Sequence, residues 1–210
     1  MSWNRISSDA LDPSAFTCII DSRDALLFCD GFLSGSISLP FSENFFSLTN
    51  RHVDEDTAWL WICSQSQWDA IHRLQSPIHY PGAVWVVSDA DLLQGEWNRD
   101  MLITLDLDEF EMDYRHDTFY LVDVRDAAAF AEKHVEHAEN MPLDDLENSS
   151  MDLDNDYAYY VYGDNMTVAV TAGSVMKRNG LNQVRLLAAD WAQLLSGNLP
   201  FVSSPSSSKT

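Results

Sequence analysis

The strongest nucleophiles in this 210-residue chain are three cysteines, at positions 18, 29 and 63. Cys63 alone stands where a thiolate could be made. It closes the apolar run Trp59–Ile62 and precedes Ser64, Gln65, Ser66 and Gln67, with a helical pattern from Trp68. A strand turning into a helix at a Cys would bring the Ser64–Trp68 backbone amides onto the sulfur. Such amides supply partial positive charge without any side chain. The thiolate is the nucleophile, so its pKa must fall. Other features oppose this. The segment has no Gly, no Lys or Arg lies between residues 52 and 72, and Asp69 would compete with an anion at the helix start. Cys63 therefore has two readings, a reactive thiol or a buried, inert one. A phosphate-clamping loop would need Arg six residues after the Cys; Asp69 occupies that position and repels a dianion. Cys18 and Cys29 read as core residues.

Other clusters have structural readings. His134 and His137 are three apart among acids, a weak metal-ligand spacing. Asp152, Asp154 and Asp156 match the start of a calcium loop, but Tyr157 and Gly163 stand where its Gly and Glu are needed. The run reads as a solvated acidic loop. Asp21 with Arg23, and Asp123 with Arg125, read as strand-end ion pairs that hold the following turn. No metal and no cofactor are expected.

The elements that position these residues emerge from an internal repeat. Residues 18–41, CIIDSRDALLFCDGFLSGSISLPF, align without a gap with residues 120–143, YLVDVRDAAAFAEKHVEHAENMPL. Asp21 meets Asp123, Arg23 meets Arg125, and Asp24 meets Asp126. After a two-residue change of offset, Trp59–Cys63 faces Tyr159–Gly163, and Val84–Val87 faces Val184–Leu187. In each half the strands Cys18–Ile20 and Tyr120–Val122 lead into short helices, Ala25–Asp30 and Ala127–Glu132. Asp24 and Asp126 are placed to cap them. The strands Trp59–Ile62 and Tyr159–Tyr162 precede helices over Trp68–Leu74 and Val168–Arg178, and a last strand follows in each half. This alternation predicts α/β architecture: two domains, each a mostly parallel sheet flanked by helices. The domains are expected over 1–98 and 99–202, with the boundary near Trp97–Met101 and a disordered Ser-rich tail over 203–210.

Composition limits the partners. The chain is 46% hydrophobic and 11% aromatic, enough for folded cores. It carries 33 Asp and Glu against 12 Lys and Arg, a formal net charge of -21. Such a polyanion repels nucleic acid and anionic membrane surfaces. No apolar run approaches a membrane span, and the opening Met1–Arg5 lacks the apolar stretch expected of a signal peptide. The odd cysteine count gives no disulfide framework. A cytoplasmic protein is expected.

The second repeat resembles the rhodanese family. Its strand end Leu121-Val122-Asp123-Val124-Arg125-Asp126 matches that family's Asp-x-Arg-Asp/Glu, Lys133-His134-Val135 its Gly-His-Ile, and Ala138-Glu139-Asn140-Met141-Pro142-Leu143 its Gly-Ala-x-Asn-x-Pro-Leu. Val161-Tyr162-Gly163, Asn179-Gly180 and Ala188-Ala189-Asp190-Trp191 fit the later motifs. The first repeat resembles the family more weakly, mostly through Asp21–Pro40. The resemblance implies a tandem rhodanese-like fold and sulfane-sulfur transfer, in which a strand-end Cys becomes a persulfide. By that frame the nucleophile is Cys63 in the first domain, with Ser64, Gln65, Ser66, Gln67 and Trp68 as its loop. The second site is degenerate: Gly163 replaces the Cys, followed by Asp164, Asn165, Met166, Thr167 and Val168. Two functions follow: a sulfurtransferase working through a Cys63 persulfide, with a small sulfur donor and a thiol acceptor, or an inactive rhodanese-fold module that binds a partner protein.

Overall fold

In a computed structural model the chain divides into two units, Met1–Met101 and Leu102–Thr210. The structure describes residues 4–42, 45, 49, 52, 58–73, 83–92, 95, 97–116 and 118–204.

The first unit holds β1 (Asn4–Arg5), β2 (Cys18–Asp21), β3 (Phe32–Leu33), β4 (Ser36–Ser38), β5 (Ala58–Cys63), β6 (Ala83–Ser88) and β7 (Arg99–Asp100). Its described helices are α1 (Ala25–Cys29), α2 (Gln65–Arg73) and α3 (Asp89–Leu92). The main sheet runs β1-β6-β5-β2-β4, all parallel, and β3 pairs antiparallel with β7.

The second unit holds β8 (Ile103–Leu105), β9 (Tyr120–Asp123), β10 (His134–Val135), β11 (Ala138–Asn140), β12 (Tyr159–Tyr162), β13 (Val184–Leu187) and β14 (Phe201–Val202). Its helices are α4 (Leu107–His116), α5 (Ala127–Glu132), α6 (Leu146–Ser149), α7 (Met166–Arg178) and α8 (Trp191–Ser196). The sheet runs β8-β13-β12-β9-β11, again all parallel, with β10 antiparallel to β14. This is the strand order of the first unit, element for element. Asp21 pairs with Ile62 and Ser38, and Asp123 pairs with Tyr162 and Asn140, so the two aspartates end equivalent strands. Both units are α/β folds built on a five-stranded parallel sheet flanked by helices.

The central strands are buried on both faces, which is why they read as unbroken apolar runs rather than alternating ones. Trp59, Leu60, Trp61 and Ile62 are fully buried, as are Val161 and Tyr162. The first core packs Ile19, Leu33, Leu60, Ile62, Val87 and Leu92. The second packs Phe110, Leu121, Tyr160, Tyr162, Leu187 and Leu194.

Two expected boundaries shift. The first unit's helix begins at Gln65, three residues before Trp68, and Leu74 lies outside the described residues. The second unit's helix begins at Met166 rather than Val168. In both cases a polar residue caps the helix earlier than the apolar pattern suggests. Ser203 Oγ donates to the Glu132 carbonyl and Ser204 N–H to that of Ala131. The tail expected to be disordered from Ser203 is therefore attached at its first two residues; 205–210 lie outside the described residues.

The two units differ in one turn. Gly35, between β3 and β4, has φ +85°, a left-handed conformation that glycine adopts without steric cost. His137 holds the equivalent place between β10 and β11 at φ 66°. A side chain there costs about 1–2 kcal/mol.

Candidate functional site

Each unit places its candidate site at the C-terminal end of its central strand, where parallel sheets of this kind bind ligands. A strand-end ion pair underlies both sites. Arg23 Nε lies 3.0 Å from both Asp21 carboxylate oxygens, and its NH2 lies 2.6 Å from Oδ2 and 2.9 Å from the Gly31 carbonyl. Arg125 repeats this with Asp123, at 2.6 Å to Oδ2 and 2.8 Å to the Lys133 carbonyl. Each arginine thus ties a strand end to the far end of the next helix. Asp24 and Asp126 cap those helices through Leu26 N–H, and through Ala128 and Ala129 N–H. In the second unit, Asn140 adds two bonds, to the Asp123 and Arg125 carbonyls. Trp191 lies flat over the guanidinium, 3.5 Å from ring centroid to Cζ. The arginines are thereby committed to the fold rather than turned toward a substrate.

In the first unit Cys63 is the last residue of β5, paired with Ser88, and is 1% exposed. The expected loop Ser64–Trp68 is corrected by the structure. Only Ser64 precedes the helix; Gln65, Ser66, Gln67 and Trp68 are its first turn. The cause is a capping box. Gln67 N–H donates to Ser64 Oγ at 3.3 Å, and Ser64 N–H donates to Gln67 Oε1 at 2.9 Å. Gln67 Nε2 also donates to the Ser22 carbonyl at 2.8 Å. Ser22 Oγ, which accepts Trp61 Nε1–H, stands 3.0 Å from Gln67 Oε1. The Gln67 amide thus takes the Ser64 N–H that a thiolate would need. Asp69 falls in the second helical turn and accepts from Gln65 Nε2 at 2.8 Å.

The electrostatics follow from this packing. Burial pushes the Cys63 thiol up to about 12; the Asp89 carboxylate adds to the rise, and Asp21 contributes less. Arg5 of β1 opposes them. Arg5 also lines, with Cys63, Ser64, Gln65, Trp68, Val86 and Ser88, a hollow of about 10 Å³, room for one water molecule. No Lys or Arg near residue 63 in sequence announced this cation, because β1 reaches the site only through its pairing with β6. Cys18 and Cys29 are buried and form no disulfide, and burial pushes Cys29 up to about 11.

In the second unit Gly163 follows β12 and is buried. A Cβ built there would lie 2.9 Å from Val168 Cγ1 and 3.2 Å from Val124 Cγ2. The space beside the backbone is therefore filled by valines. Asp164 and Asn165 are exposed, Asn165 Oδ1 caps α7 by accepting Val168 N–H, and Met166, Thr167 and Val168 belong to the helix. Sequence reasoning missed Val124 and named Val168 only as a loop residue; their contacts with residue 163 show what both do.

The remaining candidates are structural here. His134 Nδ1 lies 2.7 Å from the Phe130 carbonyl, and its ring stacks on Phe130 at 3.7 Å. Asp154 Oδ1 accepts the Asp156 N–H within the acidic loop. Among the described residues, no three His, Cys, Asp or Glu side chains converge to hold a metal ion.

Residues 104–196 match the family model of the rhodanese-like domain. No curated protein matches the chain. Several solved structures do. A Rhodanese_3-like domain from Anabaena sp. is 27% identical, covering 40% of this chain and 99% of that one, with a TM-score of 0.39. A rhodanese-related protein from Thermoplasma volcanium is 16% identical, covering 48% and 97%, with a TM-score of 0.43. A rhodanese from E. coli is 21% identical, covering 41% and 100%, with a TM-score of 0.36. By this match residues 104–196, within the second unit, are a rhodanese-like domain, and the first unit repeats the strand order of the second.

Proposed function

We propose that this protein is a non-catalytic rhodanese-fold module that binds a partner rather than transferring sulfur. One observation carries the reading: in neither unit does the central strand end in an available thiolate. Gly163 has no side chain and valines fill the space beside it. Cys63 is buried beneath a capped helix start, with its thiol pushed up to about 12. Such a thiol is held in its protonated form at neutral pH by burial and the Asp89 carboxylate. The lining of the Cys63 hollow by Arg5 favours the rival reading, a Cys63 persulfide, but burial and Asp89 outweigh it.

The partner of this module is a protein or a small molecule, not nucleic acid or an anionic membrane. The charge of -21 supports this. No described helix is long and apolar enough to cross a membrane, and we place the protein in the cytoplasm on three cysteines that form no disulfide.

The test is intact-protein mass after incubation with polysulfide. The expected result is no gain of a sulfur atom under conditions that load a free cysteine peptide. A one-sulfur gain that survives Cys18→Ala and Cys29→Ala but disappears in Cys63→Ser would overturn the reading.

A further inference from the structure

A second opening in the second unit lies at the end of the sheet opposite the strand-end site. It is a cavity of about 420 Å³ lined by Tyr114, Thr118, Phe119, Leu121, Glu136 and His137. That volume is within the range of small-molecule sites. It sits where β9 and β11 begin, since Ala138 pairs with Leu121. The Tyr114 and Phe119 rings stand 6.5 Å apart at 58° and form two tilted walls. Phe119 is held by stacking on Tyr160 at 4.1 Å, and Tyr114 by its hydroxyl, which donates to the Glu136 carbonyl at 2.9 Å. The walls are therefore set before any ligand arrives. The Glu136 carboxylate lies close enough to Tyr114 to add to the upward push that burial gives the phenol. Among the described residues, neither Lys nor Arg lines the cavity. At its rim is His137, the left-handed residue for which the first unit uses Gly35. A strained side chain kept at a cavity rim is a pointer to function.

We propose that this cavity binds an alkylguanidinium group against the Tyr114 and Phe119 rings, with Glu136 as its counter-charge. A planar guanidinium stacks on aromatic faces and suits two ring walls better than a point charge does. The chain's charge of -21 raises the local concentration of such cations. The inference goes beyond the loss of sulfur chemistry and does not depend on it.

The test is a titration of the full chain followed by backbone amide NMR shifts. Butylguanidinium should give saturable shifts confined to Tyr114, Thr118–Leu121 and Glu136–Ala138. Its neutral isostere, butylurea, should not saturate. Glu136→Gln should weaken guanidinium binding about threefold or more while leaving the thermal midpoint unchanged. A parallel titration with a capped Gly-Arg-Gly peptide separates the sources. Tighter binding of the peptide assigns the group to a partner's arginine, and tighter binding of butylguanidinium assigns it to a free metabolite. His137→Gly should raise the thermal midpoint by relieving the turn, and weaken binding if the ring closes the rim. Equal binding of butylurea, an unchanged affinity in Glu136→Gln, or shifts centred on Asp152–Asp156 would overturn the proposal.

Discussion

At the scale of single residues, the two strand-end sites have been closed in different ways. In the second unit closure is steric. Gly163→Cys puts a Cβ into Val168 Cγ1, so it should destabilise by about 1–3 kcal/mol in urea denaturation, the usual cost of overpacking. Val168→Ala should return part of that loss in the double variant, giving a coupling energy of about 1 kcal/mol between contacting sites. A thiol at position 163 therefore finds no ready cradle, because the valines must first give way. In the first unit closure is by hydrogen bonding. Gln67→Ala removes the capping box and both bonds to Ser22, and should cost about 1–3 kcal/mol. It should also speed iodoacetamide labelling at position 63 more than at positions 18 and 29, measured by peptide mass. Equal speeding at all three would mean that the variant had merely loosened the whole unit.

At the scale of elements, the Arg125–Asp123 pair and one further carboxylate hold the second unit's segments in place. Arg125 is 3% exposed and Asp123 fully buried, so a point-charge replacement cannot make the same fork. Arg125→Lys should lose about 2–4 kcal/mol by thermal or urea denaturation, because it leaves buried Asp123 lone pairs and the Lys133 carbonyl short of donors. Glu111 on α4 accepts from Asn198 N–H at 2.6 Å and from Asn198 Nδ2 at 3.2 Å, fastening α4 to the stretch after α8. The Asn198 backbone N–H is the main cause that lowers its carboxyl below the ordinary value, and Arg115 helps. A lowered folded pKa means that the unfolded chain binds the proton more tightly. The stabilisation is therefore full above the unfolded value of about 4.3 and is lost as pH falls through the lowered folded value. Glu111→Gln should cost about 1 kcal/mol at pH 7, and the gap to the parent should shrink toward pH 3 in urea titrations. A gap constant with pH would assign the loss to packing.

At the scale of the whole molecule, charge dominates. A net charge of -21 on 210 residues repels itself in the folded state more than in the expanded one. Raising sodium chloride from about 0.02 to 0.3 M shortens the Debye length from roughly 20 Å to 6 Å, so the thermal midpoint should rise with salt. A midpoint that falls instead would mean that local ion pairs, such as Arg178–Glu147 at 3.1 Å, outweigh the global repulsion.

The repeat, the parallel-sheet architecture and the paired aspartates and arginines were legible in the amino-acid sequence alone. They rest on local signals: apolar runs that must be buried on both faces, short polar residues that cap helices, and an acid two positions before its base. The vacancy at Gly163 was legible for the same reason, since it is a residue type at an aligned position. The start of α2 was half legible. Ser64 and Gln67 carry the spacing of a capping box, but the apolar pattern beginning at Trp68 hid it. What only the tertiary structure decided was the environment of each site. Arg5 reaches Cys63 because β1 joins the edge of β6, and Asp89 because it follows β6. Val124 and Val168 fill the space beside Gly163 from two separate segments. The reactivity of a thiol depends on such neighbours, through burial and charges brought from afar by chain folding, and no spacing along the chain records them.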